Sequence, residues 1–147
     1  MINKFKGTYE FLRSSVWTYT PELSFLPQGT KSGEGKTNYR WWAWDYVKPG
    51  MNKDYEKVVK EFIELSKRKK ATQTWYAHVG GIGTDEPVYV WIAVAKDAID
   101  YHRQNQEFWK SVGDDGIDLM RKWMSCLRKR EYKTGRFRKN LSYSPKK

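Results

Sequence analysis

Apolar positions follow two different periods in the first half of the chain. Residues 39–47 read YRWWAWDYV, and such a run of aromatic side chains is typical of a strand. Lys48, Pro49 and Gly50 end the strand, because proline cannot donate to a ladder and glycine permits the turn. A helix is predicted over residues 52–69, where one buried stripe is formed by Tyr55, Val58, Val59, Phe62 and Leu65.

Two further β-rich runs, residues 73–79 and 87–95, flank the glycine-containing segment 80–86 and predict an antiparallel hairpin. Side chains alternate across a strand, so the second run has two distinct faces. We expect a helix to pack on the aliphatic face, which consists of Val88, Val90, Ile92 and Val94. The opposite face would then carry Tyr89, Trp91, Ala93 and Ala95.

Helical spacing returns in the second half of the chain. Asp97 is placed to cap a second helix that Gly113 ends, and a third helix is predicted from residue 114 or 115. The basic residues 128–130 would close this third helix, where the helix dipole favours positive charge. A short strand is predicted around residues 141–143.

The domain division follows from residues 28–38, which lack large apolar side chains and are predicted to form a flexible connector. The connector separates an N-terminal arm, residues 1–27, from the main domain, residues 39–147. Leu12-Arg13 followed by LSFLP resembles Leu127-Arg128 followed by LSYSP, with spacings that differ by three residues. This weak repeat favours an arm that is the remnant of a preceding copy of the same unit.

The order of elements resembles the dimeric α+β barrel superfamily, which includes antibiotic-biosynthesis monooxygenase-like and NIPSNAP-like proteins. The resemblance covers about two thirds of the chain and rests on the aromatic first strand, the helix after it, and three short motifs: VKPG at 47–50, VGG at 79–81 and PVYV at 87–90. It implies an α+β, ferredoxin-like, four-stranded antiparallel sheet with helices on one face, whose other face meets a second copy in a barrel. Members have many activities, so the resemblance implies no particular reaction and no catalytic residue.

Charge changes the picture at one end of the chain. The formal net charge is +11, yet residues 121–147 carry eleven Lys and Arg against one acid, while residues 1–120 carry seventeen against sixteen. A solvated basic tail explains this better than a nucleic-acid surface, so we expect no nucleic-acid partner. Cys126 is the single cysteine, no apolar run approaches the ~20 residues of a membrane span, and a soluble, cytoplasmic protein is the default expectation.

Aromatic residues supply the predicted ligand site. The chain has eight tryptophans and ten tyrosines, and side chains with an apolar body and a polar tip are typical of pockets and interfaces. The predicted ligand-binding residues, on neighbouring strands, are Trp42, Trp44, Tyr46, Tyr76, Tyr89 and Trp91.

Two residues are weak catalytic candidates. Asp45 lies among aromatics, where loss of solvation would raise its pKa towards that of a general base, although a position at the rim of the sheet is the simpler interpretation. His78 is a candidate proton acceptor or haem ligand, but a structural histidine is the favoured interpretation. With His102 as the one other histidine, no metal site is predicted.

Three classes of function stay open on the sequence. The favoured one is a homodimer that binds an apolar or aromatic small molecule without a cofactor, and the resemblance extends this to a cofactor-independent oxygenase. The second is a protein whose aromatic face serves assembly alone. The third and least favoured is a single-strand nucleic-acid platform, built from aromatic strands and the basic tail.

Overall fold

A computed structural model describes Gly7, residues 12–27 and residues 38–141. Five strands and two long helices occur in these ranges. The elements are β1 Trp17–Tyr19, β2 Tyr39–Val47, α1 Asn52–Arg68, β3 Trp75–Gly80, β4 Val88–Ala95, α2 Ala98–Ser125 and β5 Leu127–Arg136. The predicted α+β class, with helices on one face of an antiparallel sheet, is confirmed.

All neighbouring strands of the sheet run antiparallel, in the order β1-β3-β4-β2-β5. The predicted hairpin of β3 and β4 is present, and β2 lies between β4 and β5. Trp91 on β4 is opposite both Ala43 on β2 and Ala77 on β3. The same row of the sheet continues to Tyr132 on β5, which faces Ala43 from the other side.

Both helices cover the face that carries Tyr89 and Trp91, so the prediction that a helix packs on the aliphatic face of β4 is wrong. Both faces of β4 are apolar, and the strand's own alternation therefore could not select between them. Small side chains on neighbouring strands decide the matter: Ala43 and Ala77 leave room above the sheet for large groups from the helices, such as Tyr55 and Phe62.

The N-terminal segment belongs to the sheet and to its core. Strand β1 pairs with β3, and Phe25 forms an isolated bridge with Trp75. Leu23 and Phe25 are buried, and Ser24 Oγ accepts a hydrogen bond of 2.9 Å from the amide of Ala77. The sheet thus gains a fifth strand beyond the predicted four. Residues 28–37 of the predicted connector lie outside the described residues, and the proposed boundaries stay predictions.

The predicted second and third helices are one element, α2, which is interrupted at Gly113 with φ 58° and ψ −148°. Asp97 caps it as expected, accepting a hydrogen bond of 2.9 Å from the amide of Asp100. Within the described ranges, neither helix contains an apolar stretch of the length and purity that crossing a bilayer requires.

The C-terminal part of the prediction is wrong. Helix α2 ends at Ser125, and residues 128–130, expected to close a helix, lie in β5. Leu141, expected in a strand, ends a short 3-10 helix, while residues 142 and 143 lie outside the described range. The cause is that β5 is a polar edge strand, LRKREYKTGR, without the apolar alternation that identifies a strand.

Candidate functional site

The predicted site residues lie on opposite faces of the sheet. Register pairs Trp42 with Ile92, Trp44 with Val90, and His78 with Val90, all on the face without helices. We call this the open face; of the predicted residues it carries Trp42, Trp44, Tyr46, Tyr76 and His78. The face under the helices, here the covered face, carries Asp45, Tyr89 and Trp91. The structure therefore does not bring the predicted ligand residues into one pocket.

His78 is half-buried on the open face, with its ring centroid 5.4 Å from that of Tyr19. Its buried Nδ1 has no hydrogen-bond partner among the described residues, and burial lowers the pKa of the imidazole. A neutral ring is therefore favoured. His102 is exposed on α2, and in the described part of the chain no three His, Cys, Asp or Glu side chains are placed to hold a metal ion.

Cations from β5 lie against the aromatic rings of the open face. Lys133 Nζ is 5.1 Å from the centroid of the Trp44 ring, and Lys129 Nζ is 5.2 Å from that of Tyr46. The Tyr46 hydroxyl donates to Glu131 Oε2 at 3.1 Å, and burial together with this bond raises the pKa of Tyr46. These contacts are partly solvated, as expected at the surface of an edge strand.

Asp45 is fully buried on the covered face, so the alternative of a rim position is excluded. Its Oδ2 accepts hydrogen bonds from the Tyr55 hydroxyl at 2.7 Å and from Trp123 Nε1 at 2.8 Å. The Tyr55 oxygen in turn accepts a bond of 2.8 Å from Trp91 Nε1. Arg130 Nε lies 2.9 Å from Asp45 Oδ1. These five residues, Asp45, Tyr55, Trp91, Trp123 and Arg130, are called the Asp45 cluster.

Burial raises the pKa of Asp45, although Arg130 and the hydrogen bonds from Tyr55 and Trp123 act in the opposite direction. Burial and the neighbouring carboxylate of Asp45 both raise the pKa of Tyr55, which therefore stays protonated as a donor. The expected shift of Asp45 is thus present. Its contact with Arg130 is an ion pair without a well-aimed hydrogen bond, because Asp45 Oδ1 and Arg130 Nε lack hydrogen-bond partners among the described residues.

Tyr89 packs against α1 on the covered face. Its ring lies 4.5 Å from that of Tyr55, and its hydroxyl donates to Glu56 Oε1 on α1 at 2.7 Å. Burial and this bond raise the pKa of the phenol. Tyr89 therefore connects β4 to α1, and its predicted role in ligand binding stays a prediction.

A cavity of about 110 Å³ lies next to the Asp45 cluster, between the sheet and α2. Of the predicted ligand residues, Trp91 is the one that lines it. Its apolar wall consists of Trp41, Phe62, Trp75, Trp91, Ala93, Tyr101, Phe108, Trp109, Met120 and Trp123. Its polar residues are Gln73, Asn105 and Arg130.

These three polar residues were missed by the sequence analysis. Gln73 lies in a predicted strand and Asn105 within the predicted second helix, and a single amide carries no signal of its own in either place. Arg130 was assigned to a helix end. Its register position on β5, directly opposite Asp45, is the signal that identifies it, and that position is known only once β5 is recognised.

A larger groove of about 950 Å³ lies outside, between α1 and the second half of α2. Long charged side chains such as Lys57, Glu61 and Lys122 line most of it. Some of these charged side chains form ion pairs with residues three positions away, such as Asp118 with Arg121 at 2.7 Å. Such a solvated, mixed-charge surface offers a ligand little apolar burial, so the smaller aromatic cavity is the candidate site.

Solved structures show what this fold is similar to. A NIPSNAP family protein of unknown function from Agrobacterium tumefaciens matches with a TM-score of 0.55 and 14% identity, covering 70% of this chain and 90% of that one. A candidate monooxygenase from Lactobacillus acidophilus matches with 0.54 and 11%, covering 76% and 46%. An anthrone oxidase-like protein matches with 0.56 and 7%, covering 83% and 57%.

The chain therefore has the α+β fold of NIPSNAP-like and antibiotic-biosynthesis monooxygenase-like proteins, as the resemblance implied. At these identities the likeness concerns the fold alone. No protein-family model matches the sequence, and no curated protein is significantly similar to it. The chain spans about half the length of the monooxygenase and of the anthrone oxidase-like protein.

Proposed function

We propose that this protein binds a small aromatic molecule in the cavity between the sheet and α2. The observation that carries the proposal is an aromatic lining joined by a few polar groups beside a buried ionic cluster. Apolar walls with a small number of polar groups at defined positions are typical of ligand sites. In a cavity that results from packing alone, polar groups facing the empty space would lack hydrogen-bond partners.

The size of the cavity restricts the ligand to about one ring. An apolar cavity of roughly 150 Å³ accommodates benzene, and the space here is about 110 Å³. Trp91, Trp123 and Trp75 supply ring faces and edges for such a molecule. A fused-ring ligand would require the helices to move apart.

Filling the cavity tests the proposal. Ala93 lines it and is buried, so Ala93→Met should occupy the space and abolish the thermal stabilisation and tryptophan quenching that single-ring aromatics cause in the wild type. Ile92→Met is the matched control, because the neighbouring residue on β4 points to the open face. Equal ligand response in both variants, or no response of the wild type to any single-ring aromatic, would overturn the proposal.

A cofactor-free oxygenase is the catalytic extension of this proposal, and its support is that two structural neighbours are described as a candidate monooxygenase and an anthrone oxidase-like protein. The observation in its favour is Asp45, a buried carboxylate with a raised pKa beside the cavity. Oxygen uptake with a bound phenol, in protein free of metal and flavin, is the measurement. Uptake that persists in Asp45→Asn would exclude the carboxylate from the reaction.

A second proposal is that the open face joins two copies of this chain. Val90, Ile92, Trp42 and Trp44 form an apolar centre that no element of the described chain covers. Cations of β5 lie at one edge of this face, and the aromatic rings of β1 and β3 lie at the other. A two-fold axis parallel to the strands would bring each cationic edge over the partner's aromatic edge, which avoids like-charge contact.

Sedimentation equilibrium tests the dimer. Trp44→Glu should yield a monomer, because it buries a charge in the proposed interface, while Ile99→Glu on the exposed surface of α2 should leave the dimer intact. A wild-type monomer at the highest soluble concentration would exclude the dimer. Salt-sensitive binding of single-stranded oligonucleotides that Trp44→Glu abolishes would favour the nucleic-acid alternative.

A further inference from the structure

We infer that the ligand of the cavity is an aromatic carboxylate of one ring, that Arg130 binds its carboxylate group, and that Gln73 is a further polar contact of the same ligand. This inference rests on the proposed binding function and names the chemistry of the ligand. It follows from side chains that line the cavity and have hydrogen-bonding atoms with a weak acceptor or none among the described residues.

Arg130 is the one charged residue among those that line the cavity. A guanidinium has five N–H donors. Here Nε faces Asp45 Oδ1 without a well-aimed bond, and Nη1 contacts the Met124 sulfur, a weak acceptor, at 3.8 Å. The other terminal nitrogen has no acceptor among the described residues. A planar carboxylate can accept one hydrogen bond from each terminal nitrogen, which is the bidentate geometry that arginine favours.

The position of this guanidinium is fixed before any ligand binds. Its carbon lies 5.7 Å from the centroid of the Trp123 ring and 5.3 Å from that of Tyr132. Asp45 forms an ion pair with Nε of Arg130, and hydrogen bonds from Tyr55 and Trp123 fix the Asp45 carboxylate in turn. Asp45 and Tyr55 therefore act as positioning residues, and the ligand finds an arginine already oriented.

Gln73 is the independent observation. It is a buried residue, 8% exposed, that lines the same cavity, and no hydrogen bond of its side chain occurs within the described residues. Its amide N–H groups are therefore free to donate to a polar group of a ligand in the cavity. Asn105, also in the lining, likewise makes no side-chain hydrogen bond within the described part of the chain. An amide N–H from either residue can donate to a carboxylate oxygen.

Neutral alternatives satisfy these groups less completely. Toluene fits the aromatic wall but leaves the arginine and the amide without partners. Benzamide replaces one carboxylate oxygen by a donor, which would face another donor at Arg130. Benzoate supplies acceptors alone and carries the charge that complements the guanidinium.

Calorimetric titration of the full chain with toluene, benzamide and benzoate tests the inference. We expect benzoate to bind at least about tenfold more tightly than benzamide, a factor that one or two charge-assisted hydrogen bonds provide. Arg130→Met should abolish this preference, and Arg130→Lys should retain part of it. Gln73→Leu should weaken benzoate severalfold without weakening toluene, and Gln106→Leu on the exposed side of α2 is its matched control.

The outcomes separate the inference from the function it rests on. Binding of none of the three compounds contradicts the proposed function itself. If toluene or benzamide binds as tightly as benzoate, the proposed binding function is retained, but the inference that the ligand is a carboxylate is contradicted. If Arg130→Met does not fold by circular dichroism, Arg130→Lys and Gln73→Leu carry the test, and an unchanged benzoate preference in both would overturn the inference.

Discussion

The two faces of this sheet have similar aromatic content and opposite chemistry. On the covered face, the polar groups of the Asp45 cluster lie beneath the helices, where Asp45 has no solvent exposure and the Arg130 side chain is 15% exposed. On the open face, Trp42, Trp44 and Tyr46 are half-buried, and their polar neighbours are lysines and Glu131 near solvent. Aromatic and charged residues thus form a buried hydrogen-bonded network on the covered face and a set of partly solvated contacts on the open face.

This difference determines what each face can do. Interactions in a low-dielectric interior are strong, and they are also costly when one partner is missing. Exposed pairs are screened by water and contribute little individually. The covered face can therefore hold and orient a small ligand, whereas the open face can supply area for association with low specificity in each contact. Equivalent substitutions on the two faces should therefore differ in their effects.

The largest effect is expected from Asp45→Ala, which leaves the largely desolvated guanidinium of Arg130 without its counter-ion. Breaking one partner of a buried pair costs on the order of 3–5 kcal/mol in the free energy of unfolding. Urea denaturation followed by tryptophan fluorescence measures it. Glu131→Ala, which removes an acid from the open face, should change the same quantity by no more than about 1 kcal/mol.

A double variant sharpens this comparison. Asp45→Ala combined with Arg130→Met removes both charges and should be more stable than Asp45→Ala alone, because no buried charge remains unpaired. A double variant as unstable as the sum of the two single ones would show that the charges act independently, contrary to the ion pair described here.

The same contrast explains how far the sequence could predict this molecule. The periodicity of α1 and the hairpin of β3 and β4 arise from local pattern, and both are present as predicted. Which face the helices cover depends on Ala43 and Ala77, which lie on different strands, so no single strand contains the answer. The aromatic neighbours of Asp45 indicated a raised pKa, which is present, but the sequence favoured a position at the rim of the sheet and not the full burial that is found.

The cavity could not be predicted because its polar residues are brought together by pairing over long distances in sequence. Gln73 precedes β3, Asn105 lies on α2, and Arg130 lies on a polar edge strand where the sequence pattern predicts a helix end. Register between β2 and β5 places Arg130 opposite Asp45, and that register is a property of the folded sheet. The predicted roles of the aromatic residues in ligand binding stay predictions, apart from the finding that they lie on two faces.

A smaller effect is expected from removing one hydroxyl on each face. Tyr55→Phe deletes the oxygen that joins Asp45 to Trp91 Nε1 and leaves that indole N–H buried without an acceptor. The expected loss is about 1–3 kcal/mol in the free energy of unfolding. Tyr76→Phe on the half-buried open face should change it by less than about 0.5 kcal/mol. Equal losses would contradict the difference between the faces.

The pH dependence of stability should also differ between the faces. Because the pKa of Asp45 is raised in the folded state, folding binds a proton at this site, so its contribution to stability is complete below the unfolded value of 3.8 and falls as pH rises through the folded value. Glu131 has a lowered pKa, through its bonds with Lys129 and Tyr46, so its contribution has the opposite sign and is lost as pH falls. Unfolding free energies from pH 3 to 7, compared with those of Asp45→Asn and Glu131→Gln, separate the two. A wild-type and Asp45→Asn pair with parallel pH profiles would contradict the assignment.

The smallest effect is expected at Lys133, whose ammonium lies over the Trp44 ring on the open face. A cation over an exposed ring contributes about 0.5–1 kcal/mol, so Lys133→Met should lower the free energy of unfolding by no more than that. If the open face joins two copies, the charge also matters for association, because the proposed two-fold arrangement places it near the partner's aromatic edge. Lys133→Met should then weaken the dimer in sedimentation more than it weakens the fold, whereas Lys122→Met on α2 should change neither. If Lys133→Met lowers the stability of the fold but leaves association unchanged, Lys133 interacts within its own subunit alone. The proposed charge complementarity between the two copies would then be wrong.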